Sequence, residues 1–465
     1  MASVIAAPSS NSGKTILNIL ISSWAFSKGI KIQTFKVGPD YLDSQLLSVI
    51  SQKPCHNLDL ILTNKEWVTN CFQEKSSSTD LSVVEGVMGL FDGIGSTRNG
   101  STADIARHLN LPIILTINAS GQGASIRALV KGFRDQDKEL KFAGVVLNQV
   151  NSERHKRILK EVLEDIGVEI LGIIPKDDRL KIPSRHLGLI QHNEINDIKS
   201  KVEVWKDIAK QNLNLNLIEK LLRSPRSKIE IFTNPDLEIK NISKSKTYPI
   251  AIAQDEAFNF CYPEFYDYLE SSGFELIKWE PLSDQAIPYE AKGLIIPGGF
   301  PEIYAEQLSN AKNTLDSIKY NFNRIPIYAE CGGMLLLGKG LTDSDNNKFK
   351  MAGILPFNSK KGNLVVGYRN VKFLSDTLIA RKGNEFIGHE FHYWETFKER
   401  TLSNTQSIFL PPWEKTGWGV KLEKEGYSNN MLHASWVHLH WPCNKKIIER
   451  WKSSITENEK RKSNS

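Results

Sequence analysis

Four stretches of the chain place reactive side chains where a fold could present them. Residues 325–336 read Ile-Pro-Ile-Tyr-Ala-Glu-Cys-Gly-Gly-Met-Leu-Leu, an apolar run that stops at Cys331 before two glycines and a helix-like apolar segment. Strand, sharp turn, helix would lift the sulfur out of the packed layer, and a helix N-terminus favours the thiolate. Gly332 has no Cβ, so it permits the turn and can aim its N–H at an oxyanion. A buried core cysteine ahead of a flexible turn has the same pattern. Near the N-terminus, an apolar run at 3–7 leads through Pro8-Ser9-Ser10-Asn11-Ser12-Gly13-Lys14-Thr15 into a helix-like segment at 16–26. That is the arrangement of a phosphate-binding loop. Backbone N–H groups around Ser12 and Gly13 and the helix dipole hold phosphate oxygens, Lys14 reaches the β/γ-phosphates, and the Thr15 hydroxyl can ligate Mg²⁺. The first glycine of the usual pattern is absent; Ala7-Pro8 stands there.

A strand at 32–37 carries Lys36 and ends in Gly38-Pro39-Asp40-Tyr41-Leu42-Asp43. The carboxyl ends of strands are where open α/β sheets bind ligands, so Asp40 is a candidate Mg²⁺ ligand and Lys36 a phosphate contact. A strand at 81–84 meets Glu85-Gly86-Val87-Met88-Gly89-Leu90-Phe91-Asp92-Gly93, which fits a second metal ligand, Glu85, beside a mobile substrate loop. Asn148, closing a strand at 142–147, is placed to read a nucleotide base or to sit as a plain loop residue. Residues 294–302 run from an apolar strand into Pro297-Gly298-Gly299-Phe300-Pro301-Glu302. Gly299 there offers a second oxyanion donor beside Gly332, or a structural turn. The run 432–441 brings three histidines together, with period-two spacing putting His438 and His440 on one face and His433 on the other. A cysteine nucleophile needs such a base, usually distant in sequence. A metal site would need a carboxylate or cysteine to complete the set, and none lies at ordinary spacing.

The elements that must position these residues alternate in type. Buried strand patterns at 3–7, 32–37, 81–84, 111–117, 142–147 and 169–174 are separated by helical patterns, among them 102–109, 124–133 and 153–166. This predicts a doubly wound α/β parallel sheet with ligands along one edge, in an ATP-binding domain over 1–190. Residues 191–246 read as one or two surface helices (193–222) and a Ser-, Lys-, Asn- and Pro-rich linker. A second α/β domain spans 247–445. It has strands at 249–253, 275–279 and 294–296, a helix opening at 255 and running to about 272, and a β-rich stretch from 351. The tail at 446–465 is charged and expected to fray.

Composition bounds the rest. With 465 residues, two or three domains are expected. Apolar and charged fractions of 40% and 24% are those of a soluble globular protein. The net charge of +6 suits an anionic small substrate or a solvated surface. No basic stripe interleaved with aromatics is present, which argues against nucleic acid as a partner. Five scattered cysteines form no Cys-x-x-Cys pair, so neither zinc nor a disulfide framework is indicated. No apolar run is long enough to span a membrane, and no signal peptide opens the chain, so a cytoplasmic location is expected.

Gly13-Lys14-Thr15, the Lys36–Tyr41 motif, the Glu85–Gly93 motif and Ile182-Pro-Ser-Arg-His-Leu-Gly-Leu together resemble the cobyrinic acid a,c-diamide synthase family. Its members join an ATP-dependent domain, similar to dethiobiotin synthetase, to a class I glutamine amidotransferase domain. The 432–441 run is similar to the histidine motif of triad-type amidotransferases and matches at His438. Many such enzymes carry Glu two residues later, where this chain has His440. The third member is then absent or comes from elsewhere, with Glu330 and Glu390 as candidates; His389 and His392 fit support of the fold or substrate channel. The resemblance implies ATP- and glutamine-dependent amidation of the a and c carboxylates of cobyrinate. ATP would bind at Ser12, Gly13, Lys14, Thr15, Lys36 and Asn148, with Mg²⁺ at Thr15, Asp40 and Glu85. Cys331 and His438 would be catalytic, with Gly299 and Gly332 as oxyanion donors, and a homo-oligomer is possible. Amidation of another tetrapyrrole (hydrogenobyrinate or Ni-sirohydrochlorin), a P-loop regulatory ATPase and an inactive amidotransferase scaffold are the alternatives.

Overall fold

The computed structural model describes residues 2–181, 192–225, 247–398 and 408–463. The 182–189 motif and most of the expected linker lie outside them. Two compact units are present, Met1–Glu238 and Ile239–Ser465.

In the first unit, seven strands form one sheet: β1 (Ser3–Ala6), β2 (Ile32–Val37), β3 (His56–Leu58), β4 (Leu81–Glu85), β5 (Ile113–Asn118), β6 (Phe142–Val150) and β7 (Ile170–Pro175). Their order is β3-β2-β4-β1-β5-β6-β7, and every pairing is parallel. The apolar runs are continuous because both faces are covered. Val4, Val84 and Leu115 face a core closed by helices Lys65–Ser77, Thr102–His108, Ile126–Asp135 and Glu153–Glu164. Ile5, Val83 and Ile114 face the other, closed by helices Lys14–Ser27 and Tyr41–Ser51. The segment expected as surface helices completes this second face. His192–Asn212 and Leu215–Leu222 bury Trp205, Ile208, Ala209, Ile218 and Leu222 against it. These apolar residues are spaced at helical period, which a mostly polar composition conceals.

The second unit holds two sheets. β8 (Tyr248–Ala253), β9 (Phe274–Trp279), β10 (Leu294–Ile296) and β11 (Ile327–Glu330) are parallel. Next come β12 (Gly340–Thr342), β13 (Lys348–Lys350), β14 (Asn358–Phe373), β15 (Glu385–Phe397), β16 (Trp413–Gly417), β17 (Val420–Glu425), β18 (Tyr427–Ser428), β19 (Leu432–Ser435) and β20 (His438–Leu439). β19 joins the first sheet beside β11, with β18 on its edge; β20 joins the second sheet beside β15. The histidine run is thus two strands in two sheets, not one strand with alternating faces. It breaks where Trp436 N–H leaves the ladder to donate to Glu425 Oε1 at 2.9 Å.

Two other expectations change. The helix expected from 255 begins only at Pro263, because the Asp255 carboxylate instead accepts from Ala257, Phe258 and Leu282 N–H groups and holds a turn. The charged tail forms the helix Lys445–Ser463, with Ile447, Trp451 and Ile455 fully buried. Among the described residues, no helix is long and apolar enough to cross a membrane.

Trp451→Ala should lower unfolding stability by about 3–5 kcal/mol, whereas Lys446→Ala, at an exposed position of the same helix, should change it by less than about 0.5 kcal/mol. Urea unfolding monitored by tryptophan fluorescence and far-UV circular dichroism measures both.

Candidate active sites

The loop between β1 and the first helix is shaped by Gly13, which caps that helix with φ +107°. A side chain there would overlap Asn148. Asn148 is buried at the end of β6, where its Nδ2 donates to Ser12 O at 3.2 Å, while its Oδ1 makes no hydrogen bond among the described residues. Asn148 therefore braces the loop from behind. Lys14 Nζ donates to Ser9 O at 3.2 Å and Met88 O at 2.6 Å, tying this loop to the one after β4. Burial, and then repulsion from Lys36, lower the Lys14 ammonium to about 8.

Glu85 ends β4 fully buried. Its carboxylate accepts from Thr15 Oγ1 at 2.7 Å, Asn18 Nδ2 at 3.0 Å and Lys36 Nζ at 3.0 Å. Lys36 also meets Asp43 at 2.7 Å and Asp40 at 3.5 Å. Burial disfavours its charge, but Glu85, Asp43 and Asp40 outweigh that and raise its pKa well above the usual lysine range. Asp40 caps the helix Tyr41–Ser51, its Oδ1 accepting from Leu42 and Asp43 N–H, so only Oδ2 is left toward Lys36. Hydroxyl and carboxylate oxygens converging at Thr15 and Glu85 suit a hard cation such as Mg²⁺, which is usually held by one or two carboxylates beside phosphates and waters. A cavity of about 650 Å³ is lined by Gly13, Lys14, Thr15, Lys36, Asp40 and Asn148. All the expected nucleotide-side residues except Ser12 and Glu85 line it, and those two are bonded to residues that do.

Cys331 sits between β11 and the helix Gly332–Leu337 at φ 45°, ψ −111°. A non-glycine residue there is strained by roughly 1–3 kcal/mol. The surroundings enforce it: Cys331 N–H donates to Ser435 O on β19 at 2.7 Å, and a Cβ on Gly332 would lie 2.6 Å from Gly299 O. The Pro297–Glu302 loop is therefore packed directly on the cysteine turn, and a side chain at Gly298 would overlap the His438 ring. Gly299, Gly332, Cys331 and His438 are thus brought together. The Cys331 Sγ lies 3.6 Å from Phe391 O.

His438 is buried and hydrogen-bonded to Cys331 on one side; on the other its Nδ1 meets Glu330 Oε2 at 3.2 Å. Burial opposes the imidazolium, yet Cys331 and Glu330 more than offset it and raise the ring to about 10. Glu390, the other candidate third member, is occupied elsewhere. It binds Arg369 Nε and Lys415 Nζ, each at 2.6 Å, and His392 Nε2 at 3.1 Å. His392 stacks on Trp436. His389 pairs across the strands with His438 and is kept neutral, near 3, mainly by burial. His433 is also held near 3 by burial, packed among Tyr328, Phe373 and Trp413, with both ring nitrogens making no hydrogen bond among the described residues. Among the described residues, no cluster of three or more His, Cys, Asp or Glu could hold a metal ion.

Sequence reasoning passed over Asn18 and Tyr328 and gave Asp43 no role. Asn18 stands three residues after Thr15, so it shares a helix face with it. Tyr328 stands two residues before Glu330, so it shares a strand face with it. Both spacings were visible, but neither has meaning until the buried carboxylate is located.

A family model for a CobQ/CobB/MinD/ParA nucleotide binding domain matches residues 3–190, and one for a CobB/CobQ-like glutamine amidotransferase domain matches 249–445. The cobyrinate a,c-diamide synthase of Synechococcus sp. is 38% identical over 447 residues, covering 95% of each chain. That of Caldanaerobacter subterraneus subsp. tengcongensis is 36% identical over 452 residues, 96% of this chain and 97% of its own. That of Thermoplasma volcanium is 35% identical over 451 residues, 96% of each. The chain belongs to the cobyrinate a,c-diamide synthase family. It is a glutamine-hydrolysing, amide-forming ligase with a nucleotide-binding domain ahead of an amidotransferase domain.

Gly13→Ala should weaken ATP binding roughly tenfold to a hundredfold, the equivalent of about 1–3 kcal/mol of strain. Gly29→Ala, also at positive φ but with open space around it, should leave ATP affinity unchanged. Isothermal titration calorimetry distinguishes them.

Proposed function

We propose that this chain converts cobyrinate to cobyrinate a,c-diamide, using ATP and glutamine, as a step of cobalamin synthesis. The observation that carries the reading is similarity over 95% of each chain to a synthase of that name, joined to the strained Cys331 beside His438 and the Gly13–Thr15 loop. A carboxylate is a poor electrophile because its leaving group would be oxide. In the first domain, 1–190, ATP on the Ser12–Thr15 backbone would phosphorylate it to an acyl phosphate. Lys14 and Lys36 face the transferred phosphoryl group, and positioning and charge neutralisation supply most of the catalysis. Asn148 holds the loop in shape. Thr15, Glu85 and Asp40, whose Oδ2 lies 3.5 Å from Lys36 Nζ, would hold Mg²⁺, which when bound neutralises phosphate charge.

In the amidotransferase domain, 247–445, Cys331 attacks the amide carbon of glutamine. His438 takes the thiol proton and delivers it to the leaving ammonia, while the Gly299 and Gly332 N–H groups hold the oxyanion; water then hydrolyses the glutamyl thioester, releasing glutamate and restoring the Cys331 thiol. Ammonia then displaces phosphate from the activated carboxylate. It must arrive unprotonated, because ammonium has no lone pair to attack with.

Incubation with cobyrinate, Mg-ATP and glutamine should give a product whose mass corresponds to two carboxyl-to-amide conversions, dependent on both co-substrates. Cys331→Ser should abolish glutamine-driven product and keep ammonia-driven product; Lys14→Ala should abolish both. Glutamine hydrolysis with no change in cobyrinate mass would keep the amidotransferase and discard this substrate in favour of another tetrapyrrole.

A further inference from the structure

We propose that Glu330, the residue immediately before the nucleophile, is the positioning carboxylate of the cysteine–histidine site, in place of a residue two positions after the histidine. This rests on the glutaminase reading of Cys331 and His438. Glu330 ends β11 and is buried. Its Oε2 meets His438 Nδ1 at 3.2 Å; its Oε1 accepts from Leu439 N–H at 3.1 Å and from the Tyr328 hydroxyl. Three donors from two segments hold the carboxylate still. With Nδ1–H committed to it, Nε2 is the ring nitrogen left to exchange a proton with the sulfur, the orientation a base and its conjugate acid both need. The two alternatives are otherwise engaged. His440 Nε2 meets Glu264 Oε1 at 3.3 Å, its ring against Tyr262, and Glu390 is bound to Arg369 and Lys415.

Carboxylate and nucleophile are consecutive in the chain, Glu330 closing β11 and Cys331 in the turn that follows, so any movement of the cysteine turn carries the carboxylate with it. A carboxylate following the histidine would instead travel with the base. Here the base is the partner that must dock, and β20 docks it by pairing His438 with His389 of β15.

The charged and titratable groups around His438 are Cys331, Glu330 and His389, with Tyr328 and Cys261 flanking Glu330. His389 is neutral at neutral pH and Tyr328 and Cys261 stay protonated, which leaves Glu330 as the carboxylate facing the ring. It stabilises the His438 imidazolium, and a cation beside a sulfur favours the thiolate form. The imidazolium is present below its raised pKa and lost as pH rises through it; neutralising Glu330 moves that loss to lower pH. At neutral pH less of the His438 ring then carries the second proton.

The test uses the full chain with Glu330→Gln, which keeps the shape and removes the charge. Alkylation of Cys331 by iodoacetamide is followed by peptide mass against pH, alongside glutaminase kcat and KM and ammonia-driven amidation. In the parent chain, alkylation should be nearly flat through neutral pH. In Glu330→Gln it should fall about tenfold or more there and recover only at alkaline pH, as expected for one unit or more of pKa change. The kcat for glutamine should fall on the order of a hundredfold or more, with KM within a few fold and ammonia-driven amidation retained. Glu330→Asp, which keeps the charge and shortens its reach, should give an intermediate profile and serves if the glutamine variant does not fold. His440→Ala and Glu264→Gln should leave the profile in place. An unchanged alkylation profile in Glu330→Gln, or a shift in His440→Ala instead, would overturn the proposal, as would a loss of glutaminase without a shifted profile. Alkylation needs no glutamine, so failure of the glutaminase reading itself shows separately, as glutamine hydrolysis surviving in Cys331→Ser.

Discussion

A carboxylate taken out of water must be given hydrogen bonds or a counter-charge, and each unit of this protein is arranged around one such group at the tip of a parallel strand. In the first unit it is Glu85, fully buried, whose oxygens take the Thr15 hydroxyl, the Asn18 amide and the Lys36 ammonium. In the second it is Glu330, which takes His438, the Leu439 N–H and the Tyr328 hydroxyl. The cost of leaving either unsatisfied exceeds that of bending the chain around it. The phosphate-binding loop, the Lys36 strand and the loop after β4 meet because Glu85 and Lys14 require partners from all of them. The cysteine turn and the histidine strand are joined because Glu330 requires partners from both sides.

Parallel strands make this economical. Their carboxyl ends lie at one edge, so β1, β2, β4 and β6 deliver the Gly13 loop, Lys36, Glu85 and Asn148 to the same place. In the second unit β10, β11 and β19 are neighbours, and they deliver Gly299, Cys331 and the approach to His438. The strain at Cys331 is sustained because its N–H is bonded to Ser435 and its turn is packed against the Pro297–Glu302 loop, so relaxing φ would break both.

Some departures from the sequence reading share one cause. The sequence predicts the helices found within 193–222 but not how they pack, and it predicts a fraying tail where the helix Lys445–Ser463 stands, because composition averages over helix faces. Their apolar residues occupy single stripes, and Trp205 and Trp451 reveal those stripes only once a sheet face or core is present to receive them. The histidine run failed differently. Period two holds only while a strand stays in one sheet, and Trp436 takes the chain from one sheet to the other between Ser435 and His438. His433 thereby became an aromatic core residue while His438 reached the sulfur.

The sequence by itself determined the alternation of strands and helices, the doubly wound parallel sheet, the turn at Cys331 and the phosphate-binding loop at Gly13. These are local properties: apolar periodicity, glycine placement and the residue types a loop needs are written in consecutive positions. Only the tertiary structure decided which carboxylate faces His438, that Asp43 and Asp40 share Lys36 with Glu85, and that Asn148 braces the loop whose shape it sets. Those depend on groups 108 residues apart for His438 and Glu330 and 136 apart for Asn148 and Ser12. A one-dimensional pattern gives every buried carboxylate the same standing. Packing alone sets which donors lie within 3 Å or so of it, and hydrogen bonding falls off too steeply beyond that distance for any other to serve.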